Sequence, residues 1–143
     1  MSRVNIGRTA LALIAVFMIG TAIQATFAPR SFFDDFPLGR GWIAAEGGAY
    51  DEHLVRDVGV LFLALVIVTI WSAWRGEFMV PVGIAWLVQG GLHLWYHAGH
   101  LDGLDGIDKI GLIGSLASVP LLAIVAIWAG LGPSVDSSKD SGN

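Results

Sequence analysis

Cysteine is absent from the 143 residues. Disulfides, thiolate metal sites and a cysteine nucleophile are therefore excluded. Charge is scarce: Asp, Glu, Lys and Arg make up 14% of the chain, against roughly a quarter in a soluble domain. The net charge is −4, and no basic cluster interrupts it, which argues against a nucleic-acid partner. Neither HExxH nor a paired ExxH motif occurs, so no metalloprotease or di-iron signature is present.

What the chain has instead is apolar length. Hydrophobic residues are 55% of it, gathered in four runs: Thr9–Ala28, Leu54–Trp74, Phe78–Tyr96 and Ile110–Leu131. Each is near the ~20 residues that cross a hydrocarbon core as helix. Arg56 and Asp57 alone break the runs with charge, close to one end. The expectation is an all-α membrane protein: an up-and-down bundle of four transmembrane helices (about 9–28, 54–74, 78–98 and 110–131) with an aromatic-rich outer loop. One domain then covers 1–132, and the polar stretch 133–143 is expected to be disordered. Arg3 and Arg8 before the first run, and Ala28 after it, also suit a cleaved signal peptide. The run exceeds the ~7–15 residues of such a segment, and Pro29 would follow the cut, so a retained helix is expected.

Two arginines precede the first run, and its far end leads into the acidic stretch Asp34–Glu52. Both termini are accordingly expected in the cytoplasm of a multi-pass cell (inner) membrane protein. Trp71, Trp74 and Trp128 then mark the inner interface and Trp95 the outer one. Arg75-Gly76-Glu77 alone joins the second and third runs, which makes them antiparallel neighbours. Pro120 falls inside the fourth and is expected to kink it. Gly111, Ser115 and Ser118, with Gly114, form a small-residue stripe of the kind that lets membrane helices pack closely. The long loop Pro29–Tyr50 is expected to cover the outer end through Phe33, Phe36 and Trp42, with a short turn at Trp42–Glu46.

The chemistry lies at that end. His53 and Asp57 are i,i+4 with Arg56 beside them; His93, His97 and His100 fall at i, i+4 and i+7, a stripe about 40° wide that Gln89 shares. Reflecting the hairpin about Gly76 puts His53 within roughly 3 Å in depth of His97. Glu52, Arg56, Gln24, Gln89 and Asp102 complete a polar layer. Ordinary helix chemistry explains much of it: Asp51 and Glu52, like Asp105 and Asp108, suit helix N-termini, His97 and His100 suit a C-terminus, and Arg56 pairs with Glu52. Asp57 and His93 are left over, ionisable groups near membrane depth that need partners.

Three functional readings follow. In the first, the protein is an accessory or structural subunit of a larger membrane complex or a homo-oligomer, in contact with the lipid bilayer. In the second, a transition metal or haem is held by His53, Asp57, His93, His97 and His100. In the third, a lipid or quinone-like ligand lies under the aromatic loop, with Asp57 and His93 as acid/base groups beneath Trp42. The run Phe32-Phe33-Asp34-Asp35-Phe36-Pro37, then Gly41-Trp42, then Tyr50 to Gly59, resembles a group of small actinobacterial membrane proteins similar to the DoxX-like four-helix proteins. His93…His97…His100-Leu101-Asp102 resembles the end of that group's third helix. The resemblance implies an up-and-down four-helix membrane bundle and carries over no catalytic residue.

Overall fold

A computed structural model of the chain describes residues 1–132. The expected disordered stretch at 133–143 lies outside them. Six helices follow in order: α1 (Arg3–Phe27), α2 (Pro29–Asp35), α3 (Trp42–Ala45), α4 (Glu52–Arg75), α5 (Met79–Ala98) and α6 (Gly106–Gly130). The long ones outrun their apolar cores because they continue until a cap stops them. Ser2 Oγ accepts from the Asn5 amide, Asp51 from Leu54 at 3.1 Å, and Asp105 from Asp108 at 2.9 Å. Gly76, at φ +74°, closes α4 in the left-handed region.

Three of the helices, α1, α4 and α6, are long and apolar enough to cross a membrane; α5 is not among them. The expectation of four equivalent spans thus holds for three. Gln89, His93 and His97, with glycines at 83, 90 and 91, dilute the apolar character of α5. Large apolar side chains point outward, among them Val16, Phe17, Leu61, Ile67, Leu92 and Leu121. An exposed apolar surface on this scale fits lipid, not water.

Helix α1 lies between α4 and α6 and packs along both, while α5 packs along α6. Leu11, Ile14, Val66, Trp86, Ala123 and Ala126 make the fully buried centre. At one end Arg8 donates to the carbonyls of Ala73 and Trp74, and Arg3 to that of Trp128 while lying over its ring at 4.2 Å. The two arginines of α1 therefore satisfy the last carbonyls of α4 and α6.

The expected neighbours α4 and α5 meet mainly through Trp86. Trp86 Nε1 donates to Thr69 Oγ1 at 2.7 Å, and the Phe62 and Trp86 rings lie 6.4 Å apart. Otherwise the two helices touch little. Each finds its larger partner elsewhere, because the glycines that permit close approach face other helices. A Cβ on Gly59 of α4 would lie 2.5 Å from the Thr26 amide nitrogen of α1; one on Gly83 of α5 would lie 2.7 Å from Ile127 of α6. The stripe expected to bring helices together does something different. Gly114 has nothing within 4 Å of a built Cβ, and Gly111 meets the Trp42 ring at 3.3 Å. Helix α6 runs unbroken through Pro120, beside Gly90, whose added Cβ would sit 3.0 Å from the proline ring.

A substitution pair checks this packing. Gly59→Ala should lower stability by about 1–3 kcal/mol, because the obstruction is backbone that cannot swing away. Gly114→Ala should cause no loss. Thermal unfolding of both variants in one detergent makes the comparison, and equal midpoints would contradict the close α1–α4 contact.

Candidate functional site: a capped cavity between the four long helices

Where α4 and α5 touch little, toward the ends away from the Gly76 turn, the bundle keeps a space that α1, α4, α5 and α6 all wall. Its volume is about 550 Å³. Phe17 and Met18 of α1, Val58 and Phe62 of α4, and Leu116 and Val119 of α6 supply apolar walls. Gln89, His93 and His97 of α5 enter it as a line of polar groups. Phe32, Phe36 and Trp42 form its lid, so Phe36 and Trp42 stand where the sequence places them, while Phe33 turns aside to Tyr50 at 5.4 Å.

The lid is held from several directions. Pro29 starts α2 at its first position, which costs no hydrogen bond. Gly41, at φ +64°, sits so close to the Asp34 carbonyl that a Cβ would lie 2.8 Å from it. There only glycine fits. The turn lets the Trp42 amide donate to the Phe36 carbonyl at 2.7 Å. Arg40 pairs with Asp108 of α6, and the Trp42 ring packs with Leu104 and Leu112. The short helical turn expected at Trp42–Glu46 is thus present as α3, ending on Glu46. Below the lid Arg30 pairs with Asp34 at 2.6 Å, which raises the guanidinium pKa above its ordinary value. Desolvation, followed by the Glu52 charge, raises the Tyr50 phenol.

The main polar contact inside the site joins lid to wall. Glu46 Oε1 lies 2.6 Å from His97 Nδ1, with both side chains largely buried. A carboxylate accepts, so the imidazole donates through Nδ1 and keeps Nε2 free. His93 meets the His97 ring edge-on at 4.5 Å. The Trp42 indole N–H is buried with no acceptor among the described residues.

The remaining residues of the expected polar layer disperse. His53 Nε2 and Asp57 Oδ2 are 3.3 Å apart on an exposed face of α4, with side chains 89% and 59% accessible, and neither lines the cavity. His100 turns Nδ1 to the Tyr96 carbonyl and stacks on its ring. Arg56 donates to Glu52, as expected, and to the Thr26 carbonyl. Gln24 reaches Ser31 at 3.4 Å, and Asp102 is exposed. Among the described residues no three His, Asp or Glu side chains gather in a way that could hold a metal ion. The five expected ligands face different directions: His53 and Asp57 pair on an exposed face, while His97 is tied to Glu46 inside.

Sequence reasoning missed Glu46 as a site residue. Its partner is 51 positions away, and hairpin depth compared only the long helices. The signal available was a lone carboxylate at the end of the aromatic turn. The stripe Gly114, Ser115 and Ser118, read as helix packing, lines the cavity instead. Comparison with known proteins finds no matching family model, no matching curated protein and no matching solved structure.

Proposed function

We propose that this chain is a multi-pass protein of the cell membrane, with cytoplasmic termini, that binds a lipidic molecule in the capped cavity. The observation that carries the reading is the cavity itself: apolar walls on three helices, a polar line on the fourth, and an aromatic lid tied across one end. Binding sites for amphipathic molecules have this composition, largely apolar with a few placed polar groups. Helix α5 is the fourth span in this reading. Its 20 residues reach about 30 Å. Ile84, Val88, Leu92 and Trp95 present an exposed apolar face, while its polar groups turn to the cavity. The sparse α4–α5 seam is the natural passage from bilayer to cavity. Kinship with the DoxX-like four-helix proteins is proposed with it, on the run from Tyr50 to Gly59.

Native mass spectrometry of protein released from mild detergent tests the reading. The wild-type chain should retain lipid at near one equivalent. Gly114→Phe fills the cavity from a position with open space around it, and it should lose that lipid while keeping its helical circular dichroism. Wild-type protein that carries no lipid, or a Gly114→Phe variant that carries as much, would sink the proposal.

A further inference from the structure

The ligand's headgroup can be read from the charges and free donors around it, an inference that rests on the lipid-binding reading above. Among the described residues no lysine or arginine lines the cavity. The cations nearest in sequence to the lid are engaged elsewhere, Arg30 with Asp34 and Arg40 with Asp108. The one charged side chain in the lining is a carboxylate, Glu46, already bound to His97. An anionic headgroup would enter a low-dielectric space with no counter-charge and a like charge present, which is strongly unfavourable.

One unsatisfied group points the same way. Trp42 is 8% exposed, is part of the cavity wall, and its indole N–H has no acceptor among the described residues. Buried donors are almost always paired, so an oxygen on a ligand that reaches this ring is the natural acceptor. With Nδ1 committed to Glu46, His97 has Nε2 left as a hydrogen-bond partner for a hydroxyl. The wall therefore offers the Trp42 N–H to a carbonyl oxygen and His97 Nε2, with Gln89 and His93 on the same helix, to an O–H, and among the described residues it has no lysine or arginine for a phosphate or carboxylate.

We infer that the cavity selects an uncharged amphiphile whose headgroup carries a carbonyl oxygen and a hydroxyl, such as an acylglycerol, and that the Trp42 indole N–H donates to that carbonyl. Monoolein and oleate, which share one chain, are the probes, titrated against the full-length protein in detergent by native mass spectrometry. Monoolein should bind at least tenfold tighter than oleate. Trp42→Phe keeps a ring against Gly111 and should weaken monoolein about tenfold, the effect of one buried hydrogen bond, with little change for methyl-branched hydrocarbon of similar length.

Oleate binding as tightly as monoolein would overturn the inference and leave the lipid-binding reading standing. Unchanged monoolein affinity in Trp42→Phe would remove Trp42 from recognition. Failure of every amphiphile to bind would overturn both readings together. If Trp42→Phe does not fold, the donor can be tested from the ligand side with wild-type protein: methyl oleate should bind at least fivefold tighter than the hydrocarbon of equal length, and equal affinities would overturn the carbonyl contact.

Discussion

Trp86→Ala should lower stability by about 3–5 kcal/mol, the cost of emptying a fully buried aromatic site. Trp86 has no accessible surface, and it is the main link between α4 and α5 through Thr69 and Phe62. Its loss removes packing on two helices that otherwise touch little. The indole hydrogen bond can be separated from the ring. Trp86→Phe should cost less, about 1–2 kcal/mol, because Thr69 Oγ1 keeps its own bond to the Leu65 carbonyl at 2.7 Å and no donor is orphaned. Combining it with Thr69→Val should show coupling of about 0.5–1.5 kcal/mol in a double-mutant cycle. Chemical unfolding in mixed micelles supplies the numbers; a Trp86→Ala loss below 1 kcal/mol would mean that the seam is not closed by this residue.

The second large effect concerns the lid. Glu46→Ala should free the segment from Phe36 to Glu46, because the Glu46–His97 pair is the link between lid and α5, and both partners are largely buried. Removing one partner of such a pair strands the other. The cost is about 1–3 kcal/mol, that of leaving a buried hydrogen-bonding group unpaired. Amide hydrogen exchange over residues 36–46 should rise tenfold or more, in line with 1.4 kcal/mol per decade. Asp57→Asn is the contrast. Its exposed pairing with His53 should be worth less than about 1 kcal/mol, and exchange in the lid should not change. Identical exchange in wild type and Glu46→Ala would show that the lid is held by Trp42 packing and the Arg40–Asp108 pair alone.

Much of the fold was legible because it follows from one-dimensional quantities. Run length locates the four long helices, and the acidic residues at 51 and 105 cap α4 and α6 as helix electrostatics require. Depth along the bundle was also readable from the short turn at Gly76. Direction around each helix axis was not. His53 and His97 sit at similar depth by that count, yet one faces outward and the other into the cavity. That angle is set by which helices pack together, and here Gly59 turns α4 toward α1 while Gly83 turns α5 toward α6. A glycine's meaning depends on what lies opposite, which no local pattern contains. The same limit explains the small-residue stripe: Gly114 marks a void and Gly59 a contact, and the two are the same residue type. Asp57 and His93, the two residues that helix chemistry left over, separate as well. Asp57 takes an exposed partner one turn away, and only His93 belongs to the cavity.

The position of α1 bears on how the chain is made. It precedes both of its principal neighbours, α4 and α6, the latter ending more than a hundred residues after α1 does. During synthesis the α6 side of α1 must wait in lipid, with Gly7 and the side chain of Arg3 lacking the partners that α6 eventually brings. The α1–α6 contacts therefore form only after α6 has been made.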